Sequence, residues 1–318
     1  MFNSVLVIVF GLLTVATAAP LDQLDQDKWS LVPDSNGHLH LVNLNPYSVP
    51  DQLEPEKLFI PAQDTIFRLY TRSNPLAPQV LVLNNADSIS ASDFNPSLQT
   101  RFIIHGWNND GFSEVNTILT NAWLTRGDFN VITVDWGVGA QTINYIAARR
   151  RVQLRHIAGH SLGAHAAGNA GFYQQNRLNT IFGMDPALPL FSLESSDRIH
   201  DSDAQYVETI HTNAGLLGFD IPLGQASFYP NGGRTQPGCG IDITGACAHG
   251  RAYQFLAESI VSGGFTSIPC QNYQQILGNN CVINGPSRNM GGEPSNQAAG
   301  AHGVYTLSTR AASPFSMG

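Results

Sequence analysis

From Thr65 onward, short apolar runs alternate with longer stretches in which apolar residues recur every three or four positions. The short runs are typical of buried β-strands and the longer ones of amphipathic helices. The predicted strands are Thr65–Tyr70, Val80–Leu83, Phe102–Ile104, Val131–Val134, Leu154–Ala158 and Thr180–Phe182. The predicted helices are Val115–Leu124, Ile143–Val152, Leu162–Tyr173 and Ala252–Val261. This alternation predicts an α/β fold, in which a mostly parallel sheet has helices on both faces, as a single domain over residues 64–318.

The first residues have the pattern of a cleaved secretory signal. An apolar run from Val5 to Val15 is followed by small residues that lead up to Pro20. A run this short favours a signal peptide over a membrane anchor, because a spanning helix needs about 20 apolar residues. We therefore predict a signal peptide at residues 1–18, no transmembrane anchor, and secretion of the mature chain.

A polar, proline-rich stretch over residues 19–63 separates this signal from the predicted domain. Within it, the apolar pair Leu31-Val32 and the run His38–Val42 flank a Pro-Asp-Ser-Asn-Gly turn. Two such runs around a turn predict a β-hairpin. The pattern does not distinguish a propeptide from an edge ribbon on the main domain, so both alternatives stay open.

Composition and charge narrow the class of protein. The 318 residues are 42% hydrophobic and 13% charged, which suits a well-filled core and not a disordered chain. The formal net charge of −8 argues against a nucleic-acid partner, which requires a clustered basic surface. The lysines are Lys28 and Lys57, and every other Lys/Arg position is arginine. Because arginine keeps its charge to a higher pH than lysine, we hypothesise an alkaline site of action such as a gut lumen; codon bias explains the composition equally well.

The four cysteines fall into two close pairs, Cys239 with Cys247 and Cys270 with Cys281. An even number of cysteines in a secreted chain indicates disulfides. Three pairings are formally open, and local pairing is favoured because each bond would then close one surface loop. Neither pair has the tight two-residue spacing of a zinc knuckle, which argues against a metal site.

The strongest chemical signal is Gly159-His160-Ser161-Leu162-Gly163, which lies between a predicted strand and a predicted helix. A serine on such a sharp turn presents its hydroxyl at the edge of the sheet, and the flanking glycines let strand and helix approach closely. The helix N-terminus also stabilises negative charge that develops nearby. The pattern predicts Ser161 as a nucleophile.

A serine nucleophile needs a base, and the base needs an acid that fixes its tautomer. In this fold the order along the chain is serine, acid, histidine. The first suitable acid is Asp185, which directly follows the strand Thr180–Phe182. We assign the base to His249, because it follows Cys247 closely and precedes a predicted helix that would hold its loop. The other downstream histidines are His200, His211 and His302.

Acyl transfer also requires N–H donors for the oxyanion of the tetrahedral intermediate. One donor is expected from the residue after the nucleophile, Leu162, and the other from the loop after an earlier strand. The strand Phe102–Ile104 ends in His105-Gly106-Trp107, a glycine turn of the right kind. We assign the second donor to the Trp107 N–H and a structural hydrogen-bonding role to His105.

Further motifs accompany these residues from about residue 65 to the end of the sequence. They are Val134-Asp135-Trp136, GHSLGAHAAG from Gly159, GMDPALPLF from Gly183, IHTN from Ile210, FYPNGG from Phe228, QPGCG from Gln236 and CAHGRAY from Cys247. Together these motifs resemble the pancreatic lipase family, particularly the insect neutral lipases and phospholipase A1-like members. The resemblance implies an α/β-hydrolase fold, acyl hydrolysis of lipids at a membrane or emulsion surface, and a triad of Ser161, Asp185 and His249.

The sequence departs from the family pattern in four places. The loop matching the family's lid, between Cys239 and Cys247, holds seven residues, and the loop from Asn213 to Gly224 is also short, as in phospholipase A1-type members. No C-terminal β-sandwich is expected after Cys281. The calcium loop keeps Arg198, Ser202 and Asp203 but has His200 in place of an aspartate, so no metal or other cofactor is expected. Finally, only residues 137–153 connect Trp136 to the nucleophile strand, which is enough for a crossover but predicts a less covered sheet face.

The leading hypothesis is therefore a lipid carboxylester hydrolase that acts through an acyl-enzyme on phospholipid, galactolipid or triacylglycerol. A second is a catalytically silent lipid-binding or storage protein, like the dipteran yolk proteins related to this family, although those have lost the serine. A third is a peptidase on the same fold, which only the triad supports. The sequence does not predict an oligomeric state.

Overall fold

The computed structural model describes residues 29–34, 37–43, 60–140, 157–174, 178–189 and 191–318. Its strands are β1 Trp29–Pro33, β2 Leu39–Asn43, β3 Ile66–Tyr70, β4 Gln79–Leu81, β5 Thr100–Ile104, β6 Asn130–Asp135, β7 Ile157–His160, β8 Thr180–Met184, β9 Tyr206–Ile210, β10 Ala226–Pro230, β11 Thr266–Cys270, β12 Arg288–Asn289 and β13 Gly303–Leu307. Its helices are α1 Pro61–Asp64, α2 Ala86–Ser90, α3 Glu114–Arg126, α4 Gly137–Ala140, α5 Leu162–Tyr173, α6 Ala246–Ser262 and α7 Tyr273–Leu277.

Eleven of the described strands form one sheet in the order β12-β11-β13-β10-β9-β8-β7-β5-β6-β3-β4. The seven strands from β13 to β6 in this order pair in parallel, and the strands at either edge pair antiparallel. The prediction of a mostly parallel sheet is therefore confirmed. The carboxyl ends of the parallel strands all reach one edge of the sheet, which is where the candidate site lies.

Helices cover both faces of this sheet because adjacent strand residues point in opposite directions. Ile103 faces the layer formed by helices α3 and α6, whereas its neighbour Ile104 faces α5. Both isoleucines are fully buried. The same alternation repeats at Ile181 and Phe182 on β8, so each central strand contributes to two hydrophobic cores.

The predicted N-terminal hairpin is present: β1 and β2 pair antiparallel as a separate two-stranded sheet. Both disulfides are local, Cys239–Cys247 and Cys270–Cys281, as expected. Helix α5 has the predicted bounds, and α3 extends one to two residues beyond the prediction at each end. None of the helices in the described ranges is long and apolar enough to cross a membrane.

Some predictions differ from the structure, and others fall outside the residues that it describes. The predicted nucleophile follows the strand Ile157–His160, whereas the sequence predicted Leu154–Ala158, because the strand continues to the residue before the tight turn. Strands β9 to β13 were not predicted at all. The predicted signal peptide at residues 1–18 and the predicted helix Ile143–Val152 of the crossover lie outside the described residues.

Candidate active site

Three central strands deliver the candidate site residues to the same edge of the sheet. Strand β5 ends just before the loop that contains Trp107, β7 just before Ser161, and β8 just before Asp185. These strands are neighbours in the order β8-β7-β5 and run parallel. Parallel pairing alone therefore brings together residues that are far apart in the sequence.

Ser161 occupies a backbone conformation that L-residues rarely adopt, with φ of 57° and ψ of −123°. It lies directly between β7 and α5, and its N–H donates to Met184 O at 3.0 Å while its carbonyl accepts from Ala164 N. Contacts to the neighbouring strand and the following helix thus hold the strained residue in place. Strain retained at such a turn is typical of a serine nucleophile.

The two motif glycines are required by packing. A Cβ on Gly159 would lie 2.1 Å from Gly163 O, and a Cβ on Gly163 would lie 2.4 Å from Ile104 O. Both distances are far below van der Waals contact with backbone atoms, which cannot move aside. The helix therefore approaches β7 and β5 closely only because both positions lack a side chain.

The structure also brings the predicted acid and base together. His249 Nδ1 lies 2.5 Å from Asp185 Oδ2, and Asp185 is completely buried. The other carboxylate oxygen, Oδ1, accepts hydrogen bonds from Thr212 N at 2.8 Å and Asn213 N at 3.0 Å. Each oxygen of Asp185 is thus engaged, and the carboxylate can fix the proton of His249 on Nδ1.

His249 lies in the first turn of α6, not in a loop before the helix. The prediction that this helix begins at Ala252 was wrong, because it begins at Ala246. The physical reason is the Asp242 side chain, which accepts a hydrogen bond from Ala248 N at 2.7 Å and so caps the free N–H groups at the helix start. A helical backbone fixes the imidazole more firmly than the expected loop would.

A neighbouring histidine contacts the predicted base, and no sequence pattern indicated this contact. His160 Nε2 donates to His249 O at 3.1 Å, and the two rings lie 4.4 Å apart between centroids. Tyr253 packs edge-on against the other side of the His160 ring. Burial and the adjacent His249 lower the pKa of His160 well below its ordinary value, so this ring is neutral.

The loop after β5 is organised around His105. Trp136 N donates to His105 Nε2 at 3.2 Å, which leaves the proton on Nδ1, 2.9 Å from Gly106 O. The Trp136 indole also donates to His105 O and stacks on the ring. These contacts place Gly106 so close to Ser161 that a Cβ there would lie 2.9 Å from Ser161 Cβ. Trp107 is the next residue, as expected for an oxyanion donor.

The other three downstream histidines lie away from Asp185 or in structural roles. His211 is fully buried, with Nδ1 at 2.8 Å from Phe219 O and Nε2 at 2.9 Å from Thr209 Oγ1. His302 is exposed, and its backbone N–H donates to Tyr305 OH. His200 follows Arg198 in a surface loop and donates its N–H to Asp203. The hydrogen bond to Asp185 thus involves His249 and none of these three.

A small, partly open cavity lies beside Ser161, and about 20 Å³ of it is accessible to water. Ser161, His249, Gly106 and Trp107 contribute to its lining. Residues 32–34 of the N-terminal hairpin also line it, which the sequence pattern did not indicate.

Asp203 belongs to the loop that resembles the family's calcium site, in which His200 stands in place of an aspartate. Its carboxylate is buried and accepts a hydrogen bond from His200 N at 2.7 Å, and burial raises its pKa to about 7. Calcium prefers six to eight oxygen ligands with several ionised carboxylates. The absence of a cofactor stays a prediction. Among the described residues, one cluster of metal-ligating types occurs at Cys239, Asp242 and Cys247, but its cysteines form a disulfide.

Comparison with known proteins agrees with this geometry. The Lipase family model matches residues 50–155 and 153–315. Mouse pancreatic lipase-related protein 2 is 33% identical over 264 residues, 69% of this chain and 55% of its own length. Pig pancreatic triacylglycerol lipase is 34% identical over 69% of this chain and 58% of its own length. Human inactive pancreatic lipase-related protein 1 is 34% identical over 71% of this chain and 57% of its own length.

The chain therefore spans little more than half the length of the curated relatives it matches. The matched region contains β5, β7, β8 and α6, which position the predicted triad and oxyanion residues, whereas the β1–β2 hairpin lies before it. The sheet order, the strained serine turn and these two independent comparisons lead to the same conclusion. The chain belongs to the pancreatic lipase family and has its α/β-hydrolase fold.

Proposed function

We propose that this protein is a secreted serine carboxylester hydrolase that cleaves acyl esters of lipids. The observation that carries the proposal is the hydrogen bond of His249 Nδ1 to Asp185 Oδ2, since His249 also lines the cavity that contains Ser161. A buried carboxylate that holds the Nδ1 proton leaves Nε2 free to accept a proton from a serine hydroxyl. Secretion is supported by the two disulfides and by the predicted signal peptide at residues 1–18.

The reaction proceeds in two displacements. His249 Nε2 takes the proton of Ser161 Oγ as that oxygen attacks the ester carbonyl carbon, and the carbonyl oxygen becomes an oxyanion. The N–H groups of Leu162 and Trp107 donate to this oxyanion. His249 then returns the proton to the departing alcohol, the C–O ester bond breaks, and an acyl-Ser161 ester remains. Water, deprotonated by His249, hydrolyses that ester in the second displacement, and Asp185 orients the imidazole throughout.

Polar lipids are the substrates that the surface loops favour. The loop between Cys239 and Cys247 has seven residues, and its isoleucines Ile241 and Ile243 are 93% and 84% exposed. A loop this short, held by its disulfide, cannot extend across the candidate site as a long lid would. We therefore rank phospholipids and galactolipids above triacylglycerol.

The test compares the mature chain with Ser161→Ala on phospholipid, galactolipid and triolein dispersions. We expect fatty acid release by the native chain, fastest on the polar lipids, and none above background by the variant. A fluorophosphonate probe should form an adduct on Ser161 of the native chain. Equal release by the two proteins would refute the mechanism, and release fastest on triolein would refute only the substrate ranking.

One observation favours the alternative of a catalytically silent lipid-binding protein. Relatives of nearly the same identity include proteins named as inactive, such as the human pancreatic lipase-related protein 1 at 34%. Family membership alone therefore does not establish turnover. The same experiment separates the two functions, because a silent protein would bind lipid vesicles without releasing fatty acid and without forming the Ser161 adduct.

A further inference from the structure

The β1–β2 hairpin has two faces of different character. Side chains alternate along each strand, so Val32 and Val42 lie on one face and Leu31 and Leu41 on the other. Val32 is 6% exposed and Val42 is fully buried, whereas Leu31 and Leu41 are 59% and 58% exposed. The hairpin therefore docks through one face and presents an apolar surface on the other.

The docked face lies against the candidate active site. Val32 and Val42 belong to the same hydrophobic cluster as Trp107 and Leu162, the two proposed oxyanion residues. Val32 also lines the small cavity that contains Ser161. The His40 ring packs edge-on against the Trp107 indole at 5.3 Å between centroids. The hairpin thus covers the position that an ester group has to occupy.

Polar contacts fix the hairpin to the loop after β5. Asp34 is 6% exposed, and its Oδ2 accepts a hydrogen bond from Asn108 Nδ2 at 3.0 Å. His40 Nε2 lies 3.0 Å from the same oxygen. At the tip of the hairpin, a Cβ on Gly37 would lie 3.6 Å from Ala246 Cβ, so the turn also contacts the start of α6. Hence the hairpin bridges the two elements that carry Trp107 and His249.

We propose that the β1–β2 hairpin is a lid that closes the active site in water and opens at a lipid surface. The proposal rests on the function proposed above. Val32, Pro33 and Asp34 line the small cavity that contains Ser161, so the bulky acyl ester of a lipid gains access to Ser161 when the hairpin leaves its docked position. Displacement exposes Val32 and Val42, which is unfavourable in water and favourable when a lipid phase receives them.

The outer face identifies the partner that drives opening. Leu31 and Leu41 are direct cross-strand partners, and Leu39 on the same face is 52% exposed. Exposed leucines grouped on one face of a small hairpin are typical of a surface that binds membranes or other proteins. Because the proposed substrate is itself a lipid aggregate, we assign this face to the lipid surface.

Fluorophosphonate labelling of Ser161 in lipid-free buffer tests the lid in the full-length protein. The double variant Val32→Asp/Val42→Asp places charges where the docked hairpin is buried, which favours the open state. We expect its labelling rate to rise at least about tenfold, because the rate scales with the fraction of open molecules. The matched control is Val80→Asp/Val82→Asp, the same change at exposed positions on the β4 side of the sheet, which should label as slowly as the native chain.

Two further measurements keep the test decisive if the aspartate variant folds poorly. The milder pair Val32→Ser/Val42→Ser should also label faster than the native chain. Addition of phosphatidylglycerol–phosphatidylcholine vesicles should accelerate labelling of the native chain, and Leu31→Asp/Leu41→Asp should reduce this acceleration at least about tenfold.

The outcomes separate the lid from the proposed function. Equal labelling of the native chain and both inner-face pairs, with a well-labelled Ser161, would overturn the lid and leave the hydrolase proposal intact. No labelling of Ser161 in any variant would instead refute the nucleophile, and with it the function on which the lid rests. An unchanged response of the outer-face pair to vesicles would refute the lipid surface as the trigger.

Discussion

Replacement of the buried acid by its amide, Asp185→Asn, gives the sharpest test of the proposed triad. The orientation of the new amide follows from the structure. Oδ1 of Asp185 accepts from Thr212 N at 2.8 Å and from Asn213 N at 3.0 Å, and both donors are backbone groups. An amide N–H₂ cannot face two N–H donors, so the amide oxygen must take that position. The amide nitrogen is then directed at His249 Nδ1.

This orientation forces the imidazole into the wrong tautomer. In the native protein, Asp185 Oδ2 lies 2.5 Å from His249 Nδ1, and in the variant the amide nitrogen takes the place of this oxygen. Because the amide nitrogen donates, Nδ1 of His249 must accept, and the imidazole proton moves to Nε2. A protonated Nε2 cannot take the proton of Ser161. The expected loss is about 10⁴-fold in kcat, the size known for this substitution in a serine hydrolase triad, or about 5 kcal/mol of transition-state stabilisation.

The assay is hydrolysis of a soluble short-chain p-nitrophenyl ester, with urea unfolding to show that the variant is folded. The matched control is Asp87→Asn, the same chemical change at an exposed aspartate in α2, which should keep native activity. Nitrogen NMR of the imidazole reports the tautomer directly. Activity within tenfold of the native value, or a proton still on Nδ1 in the variant, would show that Asp185 does not set the state of His249.

Three further predictions follow from the same structure. The Cβ that Gly218→Ala introduces would lie 2.3 Å from Asp185 Oδ1 and would displace this carboxylate, so we expect kcat to fall about 100-fold. The matched control Gly285→Ala should change kcat little, and native activity of Gly218→Ala would contradict the geometry. Burial raises the pKa of Glu208 to about 7, above its unfolded value, so the folded state binds the proton more tightly and this contribution to stability is lost as pH rises from about 4.5 to about 7; Glu208→Gln should reduce the fall in unfolding free energy, measured with urea between these two pH values, by up to about 3 kcal/mol while the part due to Asp203 remains, and an equal fall in the variant would refute the assignment. If the scarcity of lysine reflects an alkaline site of action, ester hydrolysis measured from pH 6 to 11 should persist above pH 9, whereas a sharp loss there would favour codon bias.

The central half of the fold could be predicted from sequence, because local pattern and tertiary environment agree there. Strands such as β5 and β6 read as apolar runs, and α5 follows a glycine motif that marks its first residue. By contrast, β9 and β10 are five-residue strands that contain polar residues such as Glu208 and Ser227. Glu208, for example, is buried with hydrogen bonds from distant partners, Gly291 N and Asn296 Nδ2. Such partners are invisible to a local pattern.

In the candidate site, too, some residues could be predicted from local sequence patterns, whereas others depend on distant partners. Ser161, Asp185 and His249 could be assigned because their chain order and neighbouring glycines reflect a shared chemistry. The backbone donors Thr212 and Asn213 were not assigned, because their N–H groups reach Asp185 from another strand end and no motif linked them to it. The hairpin was predicted at the right residues, but its docking over the cavity depends on two valines whose partners lie more than sixty residues away.

The late position of α6 in the chain has a consequence for biosynthesis. A polypeptide that has been synthesised only as far as residue 185 already contains Ser161 and Asp185 but still lacks the proposed base, His249. His160, beside the nucleophile, likewise finds its acceptor only when residue 249 arrives. On the proposed mechanism the nascent chain therefore cannot attack the membranes around which it is made until nearly the whole domain has been synthesised.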